Sequence, residues 1–402
     1  MNDFRNSVEM PKDNSGVRLV AVSCPRCGAS ESKRLFEGED YLHRLPGRFY
    51  VSECSACQLR FQNPRPAQEE LAKVYPSEYT HHQSLGAGSG SLAAGAVLPG
   101  GSGPSAARQT LRRFVPPMIR RWRWVLVELW HDFLQIRAVP ARIIQAGLDE
   151  HLRCQLGYSH LPRKGGGGRL VERLLRPYFR WRARCLLIPS FKHDGRLIDL
   201  GCANGGFLSQ MAAKGWKDLR GIELVPAAAA AARQAGLNVD CDTIEHGLNS
   251  FPDAHFDVIV ASMVLEHVVN PFEVVALVRS KLKADGTFLF STVVRDTPDG
   301  ALFGKYSVSY DYRRHMTFFA ENDLHELLAR HFRSIVHAHD NVTRDFTRPA
   351  RWRIERREGG GVDRLFLVIE KLGLLRLLCT ILAWMGKMPR LSFSCRGPVA
   401  EQ

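Results

Sequence analysis

The chain has 402 residues, 45% of them hydrophobic and 24% charged, which suits a globular protein with room for two or three domains and excludes a disordered or collagen-like chain. Its formal charge of +14 is unevenly placed: 17 Lys and Arg face 5 Asp and Glu between Arg108 and Arg184, a net of +12. That concentration points to an anionic partner (a phospholipid surface, a nucleic acid or a phosphorylated substrate) or to a solvated insertion.

The N-terminus, MNDFRNSVEMPKDNSG, is polar and lacks the apolar core of a signal peptide. Two long apolar runs are broken by charge. Residues 118–136 carry Arg120, Arg121, Arg123, Glu128 and Asp132, and residues 365–385 carry Glu370, Lys371 and Arg376. Neither offers the roughly 20 apolar residues that a bilayer-spanning helix needs. The expectation is a cytoplasmic protein, peripheral at most to the inner membrane surface, whose ten cysteines are thiols or metal ligands rather than disulfides.

The first section, residues 1–80, holds Cys24-Pro-Arg-Cys27-Gly and Cys54-Ser-Ala-Cys57, two knuckles separated by 26 residues. Four thiolates so spaced can close a tetrahedral zinc site, and a short strand-rich segment needs such a metal for stability. Cys24, Cys27, Cys54 and Cys57 are therefore the candidate ligands of a structural zinc in a small ribbon. Residues 81–107 are rich in Gly and Ser and read as a linker. Residues 108–184 form a basic, Trp-rich insertion with helical periodicity, in which Trp122, Trp124 and Trp130 alternate with arginines. Such a face fits an anionic membrane surface, and equally a lid or a dimer contact. Nucleic acid is a further reading, though no RNP or KH pattern accompanies the basic stretch.

From residue 185 to the end, strand and helix signals alternate. RLIDL, LRGIEL, FDVIVA and TFLFSTVV read as strands, and GFLSQMAAKG, PAAAAAARQAG and PFEVVALVRSKLKADG read as helices. This order predicts a parallel sheet covered by helices on both faces, with PRLSFSC adding a last antiparallel strand. In such sheets ligands bind beyond the carboxyl ends of the strands. The turn after the first strand, Gly201-Cys-Ala-Asn-Gly205-Gly206, lacks the Lys-Ser/Thr of a phosphate loop. Asp199, just before it, would repel a pyrophosphate and favour a cationic ligand such as S-adenosylmethionine. Glu223 ends the second strand 22 residues after Gly201, the spacing at which an acid reaches an adenosine ribose.

The segments LIDLGCANGGFLSQMAAKGW, GIEL, FDVIVASMVLEHVVNPFEVV and LVRSKLKADGTFLFSTV resemble, in order, the motifs of class I S-adenosylmethionine-dependent methyltransferases. The resemblance implies a Rossmann-like sheet of seven strands. It places Asp199, Gly201, Ala203 and Gly205 at the methionine end of the cofactor, Glu223 on the ribose, and Asp242 or Thr243 against the adenine. Ala203 stands where the family commonly has glycine. Leu265-Glu266-His267 resembles the Leu-Glu-His of a subgroup that includes the quinone O-methyltransferases, and the run from Tyr310 to Phe319 resembles a segment closing over the acceptor. His267 or His315 is then the expected base, with Glu266 orienting it or binding metal. Met263 replaces the carboxylate that helps hold the metal in the quinone enzymes. The stretch after Cys57 resembles the head of bacterial methyltransferases acting on glycans or small molecules. The expected activity is methyl transfer to oxygen on a small-molecule, glycan or lipid-linked acceptor, with a quinone-type O-methyltransferase or an RNA-modifying enzyme as the alternatives.

Overall fold

The structure, a computed structural model, describes residues 16–75, 189, 191–372 and 374–399. The linker at 81–107 and the basic insertion at 108–184 lie outside the described residues.

Seven strands form the main sheet: β6 (Arg196–Leu200), β7 (Asp218–Glu223), β8 (Val239–Cys241), β9 (Phe256–Ser262), β10 (Leu282–Val293), β12 (Phe332–His339) and β13 (Arg390–Pro398). Their spatial order is β12-β13-β10-β9-β6-β7-β8. The β6–β7, β7–β8, β6–β9 and β9–β10 pairs are parallel, and β13 runs antiparallel to both β10 and β12. This is the Rossmann-like sheet of the class I methyltransferases, with PRLSFSC as its antiparallel strand. β6 is central because it is apolar on both faces; Leu197, Ile198 and Leu200 are fully buried. The chain leaves β6 for β7 on one side and reaches β9 on the other, which opens a crevice at the carboxyl ends of β6 and β9.

Helices α1 (Gly206–Ala213), α2 (Pro226–Gln234), α3 (Ile244–Asn249) and α4 (Pro271–Lys281) connect these strands. Gly205 turns left-handed (φ 79°) to start α1, and a Cβ there would meet Leu237 Cδ1 at 2.1 Å, so the turn and the α2–β8 loop pack only around glycine. Further on come α5 (Pro298–Phe303), α6 (Glu321–Ala329), α7 (Arg344–Glu355), α8 (Gly361–Lys371) and α9 (Leu375–Trp384). Among the described residues no helix is long and apolar enough to cross a membrane. The apolar run 365–385 instead supplies α8 and α9, which bury Phe366, Leu375, Cys379 and Ala383 and leave Leu365, Val368, Leu372, Leu374, Trp384 and Met385 each more than half exposed.

The cysteine-bearing head packs into the rest of the chain. In it β1 (Leu19–Val20) pairs antiparallel with β5 (Arg65–Pro66), and β2 (Ser32–Gly38), β3 (Phe49–Cys54) and β4 (Arg60–Gln62) are joined by β11 (Thr317–Phe318), which pairs antiparallel with β4. One apolar cluster gathers Phe49 and Val51 of the head with Tyr312, Phe346, Phe366 and Leu375. Arg314, buried completely, crosses this junction. Its Nη1 and Nη2 donate to the two Asp40 oxygens at 2.8 and 2.9 Å, and its Nε and Nη2 donate to Asp311 at 2.7 and 2.6 Å. Burial pushes the Asp311 carboxyl up, but Arg314 and His315 outweigh it and hold the group down to about 2. Removing one partner of such a pair strands buried charge. Arg314→Met is expected to lower unfolding free energy by about 3–5 kcal/mol, measured by denaturant titration, with the head losing protection from hydrogen exchange first.

Candidate active site

A cavity of about 260 Å³ opens at the carboxyl ends of the central strands. Gly201, Ala203, Glu223 and Thr243 line one side of it; Met263, His267, Tyr310, Asp311 and His315 line the other. Tyr41, Leu42, Gln68, Leu71 and Tyr75 of the head form its roof, and Arg344, Trp352 and Arg390 complete the wall.

At the first side the backbone turns tightly. Gly201 (φ 69°) and Ala203 (φ 49°) are left-handed, and a Cβ on Gly201 would meet Val264 Cγ2 at 2.8 Å. Glu223, only 5% exposed, accepts the Ala203 N–H at 2.8 Å and the Val225 N–H at 2.8 Å, one on each oxygen. Glu223 thereby presents a carboxylate at the cavity wall, a group type that accepts from vicinal hydroxyls. Asp199 does not itself line the cavity and lies buried at the end of β6. Burial, and then the negative Glu223, push its carboxyl well above the ordinary range; burial likewise raises Glu223. Two desolvated acids side by side are relieved by a cation, so the site fits a ligand that carries ammonium and sulfonium groups with a ribose. Gly205 packs behind the turn. Thr243 lines the cavity and caps α3, accepting the His246 N–H at 3.3 Å, whereas the Asp242 carboxylate pairs with His246 and does not line the cavity. Glu245, which the sequence did not single out, lines it as well.

At the second side the structure brings Glu266, His267 and His315 together, with one ligand-capable atom of each within 4.8 Å of the others. Glu266 is fully buried, which raises its pKa. Its Oε2 accepts from Thr292 Oγ1 at 2.7 Å, while Oε1 has no hydrogen-bond partner among the described residues and lies 3.9 Å from His267 Nε2. His267 Nδ1 is 3.0 Å from the Arg314 carbonyl, which can only accept, so Nδ1 carries the proton and Nε2 the lone pair. The Tyr75 hydroxyl also reaches Nδ1, at 3.3 Å. Burial, then the neighbouring His315, hold His267 well below the usual imidazole pKa. His315 donates from Nδ1 to the Ser309 carbonyl at 2.9 Å, and its ring stands edge-on to His267 with centroids 4.7 Å apart. Met263, which adopts φ 58°, accepts from Arg390 Nη1 at 3.3 Å through its sulfur. Arg390 in turn holds Asp345 at 2.8 and 3.2 Å.

Arg314, Asp40, Tyr75 and Arg390 were missed in the sequence. Docking of the head brings Tyr75 to His267 and Asp40 to Arg314, Arg314 meets His267 across 47 residues, and Arg390 lies 127 residues from Met263. The run Tyr310–Phe319 was the one visible signal near them.

In the head, Cys24 Sγ lies 3.5 Å from Cys57 Sγ and Cys27 Sγ 3.5 Å from Cys54 Sγ, and the four form one cluster. The two knuckles repeat a backbone pattern. Cys24 N–H donates to Ala29 O and Gly28 N–H to Cys24 O, while Cys54 N–H donates to Leu59 O and Gln58 N–H to Cys54 O. Gly28 and Gln58 are both left-handed at φ 74° and 61°. All four sulfurs thereby face one point, a donor set suited to tetrahedral zinc.

Residues 170–331 match the family model described as "Methyltransferase domain". Together with the strand order and the acid-flanked glycine turn, this defines a class I S-adenosylmethionine-dependent methyltransferase domain. Within that class the domain is related to the quinone O-methyltransferases. It is 34% identical over 109 residues to the ubiquinone biosynthesis O-methyltransferase of Actinobacillus pleuropneumoniae serotype 7, covering 25% of this chain and 46% of that protein. It is 34% identical over 121 residues to that of Pasteurella multocida, covering 27% and 50%. The chain thus spans about half the length of the curated relatives it matches. A SAM-dependent methyltransferase structure from Archaeoglobus fulgidus is similar over 57% of this chain and 94% of its own, at 17% identity and a TM-score of 0.36.

Titration calorimetry of S-adenosylmethionine is expected to show binding that Glu223→Ala and Asp199→Ala each weaken by about 1–3 kcal/mol, roughly 5- to 150-fold. For the head, metal analysis is expected to find zinc that Cys27→Ser reduces. Prolonged chelation should lower the melting temperature of the wild type more than that of this variant.

Proposed function

We propose that the protein moves a methyl group from S-adenosylmethionine to a hydroxyl on a lipid-linked or other small acceptor. The observation that carries this reading is one cavity that places the acidic glycine turn opposite a partly buried, neutral histidine. Bound at the turn, S-adenosylmethionine supplies a methyl group on a positively charged sulfur. Glu223 holds the ribose end, Asp199 behind the turn supplies negative charge toward the cationic end, and Gly201 and Ala203 let the backbone approach. His267 takes the acceptor's proton on Nε2, which is free because Nδ1 is committed to the Arg314 carbonyl. The Glu266 carboxyl, 3.9 Å away, then faces the imidazolium. The head residues Tyr41, Leu42, Leu71 and Tyr75 narrow access to the cavity, in keeping with the acceptor hydroxyl as nucleophile. In the four-cysteine head a structural zinc fixes the two knuckles that support this roof.

A quinone-type acceptor, an isoprenoid phenol, is favoured over a water-soluble glycan by one feature. Leu365, Val368, Leu372, Leu374, Trp384 and Met385 are exposed on α8 and α9, and the exposed Arg364, Lys371 and Lys387 lie along the same stretch of chain. Such a stretch suits the headgroup boundary of an anionic membrane, where an isoprenoid substrate resides. The basic stretch 108–184 would add to that attachment. The test is transfer of labelled methyl to an isoprenoid phenol in anionic vesicles, against glycan acceptors in buffer. Label appearing only on a glycan would remove the quinone-type reading, and label on neither would remove both.

His267→Ala is expected to lower kcat by about 10²–10⁴-fold. The sign of the pH dependence follows from the environment. Burial dominates and keeps His267 neutral, His315 and the Arg314 guanidinium add to it, and Asp311 and the Arg314 carbonyl oppose it without outweighing it. Activity should therefore persist as pH falls through about 6.5, the ordinary histidine value, and decline only well below it. A profile of kcat against pH whose acid limb lies at or above that value would contradict His267 as the base.

A further inference from the structure

A second group of histidines lies apart from the cavity, at the outer edge of the main sheet. Glu321 and His325 are four residues apart on α6, hence on one face of the helix. His337 and His339 are two apart on the edge strand β12, hence on one face of the strand. The two faces meet. His337 Nε2 lies 3.3 Å from Glu321 Oε1, His339 Nε2 lies 3.5 Å from Oε2, and His325 Nε2 lies 3.7 Å from Oε1.

His339 is the anchor of the group. It is 7% exposed, and its Nδ1 donates to the Met388 carbonyl at 2.7 Å, which leaves the lone pair of Nε2 directed at Glu321. A histidine held this way, by a backbone carbonyl on its other nitrogen, is the arrangement that orients metal-bound imidazoles. The remaining members are half-exposed, so the site has an entry path.

An ion-pair cluster would look different. One carboxylate neutralises one imidazolium, yet three imidazoles converge here, and each approach is longer than the ~2.7–2.9 Å of a charge-assisted hydrogen bond. Four ligands about 2.0–2.1 Å from a tetrahedral ion stand about 3.4 Å from one another, close to the 3.3 and 3.5 Å that separate Glu321 from His337 and His339. Glu321, His337 and His339 also lie within the reach of a single ion.

We propose that Glu321, His337 and His339 bind a divalent transition metal, zinc by preference, with His325 beside the fourth position. Imidazole and carboxylate donors in tetrahedral array favour zinc over calcium or magnesium, which take oxygen ligands in larger or octahedral shells. The ion ties α6 to β12. Through His339 it also secures the Met388 carbonyl, two residues before Arg390 of the cavity wall. The site is independent of the four-cysteine head and of the methyl-transfer reading.

The test uses the full chain dialysed against buffered ZnCl2 and then analysed for bound metal, beside His337→Ala and Glu321→Gln, both at partly exposed positions. The wild type is expected to hold one zinc equivalent more than either variant, and His325→Ala to weaken that equivalent about tenfold. Equal zinc in the wild type and both variants would overturn the proposal. If a variant loses stability, cobalt(II) substitution of the wild type decides. The second equivalent should add visible ligand-field bands without further thiolate-to-cobalt charge transfer, whereas added charge transfer would assign it to cysteine and overturn the site.

Discussion

A single buried guanidinium organises the molecule. Arg314 is fully enclosed, bound on one side to Asp40 of the head and on the other to Asp311 of the segment that closes the cavity. An unpaired charge at that depth would be prohibitive, so the head, the closing segment and the guanidinium have to assemble together. The carbonyl of the same residue accepts from His267 and sets which nitrogen carries the proton. Packing of the head is thus coupled by one residue to the chemical state of the histidine beneath it. The four-residue sheet contact through β11 and the aromatic cluster around Tyr41, Tyr306 and Tyr312 reinforce that docking.

The cavity itself divides into two electrostatic halves. Asp199 and Glu223 make one end acidic and desolvated, a place for a cation. The other end concentrates neutral or tightly paired groups: a histidine kept uncharged by burial, a carboxylate held by Thr292, and Arg390 locked onto Asp345. In the proposed transfer, the methyl group leaving the cationic sulfur at the first end would pass to the acceptor hydroxyl, and the hydroxyl's proton to the uncharged histidine at the second. The departure at Met263 belongs to the same design. Its sulfur lies against Arg390 where the quinone enzymes have a carboxylate, so the Glu266–His267–His315 group here has sulfur and guanidinium as neighbours.

Much of this was legible in the sequence. β6, β7, β9 and β10 fall on the runs RLIDL, LRGIEL, FDVIVA and TFLFSTVV because central parallel strands are buried on both faces and read as continuous apolar stretches. The glycine turn and the acids Asp199 and Glu223 could be placed at the carboxyl ends of β6 and β7 because a strand, a turn and a second strand lie close along the chain. The four cysteines were identifiable because each knuckle closes within a few residues, through the same local hydrogen bonds and a left-handed turn residue. By contrast, the run 365–385 gave no hint of where α8 and α9 separate or which apolar residues the head would cover.

The sequence alone determined the elements whose physics is local: strand hydrophobicity, glycine turns, thiolate spacing and the acids next to them. Only the tertiary structure decided the elements whose partners are remote. Arg314 meets Asp40 across 274 residues, Tyr75 meets His267 across 192, and Arg26 pairs with Asp323 across 297. It likewise decided that His337 and His339 would face Glu321, and that β11 would complete the sheet of the head. Periodicity places a side chain on a face of its own helix or strand, but only docking of that face against another sets its neighbours. The tautomer of His267, the burial of Arg314 and the convergence of the edge histidines all arise at that later step.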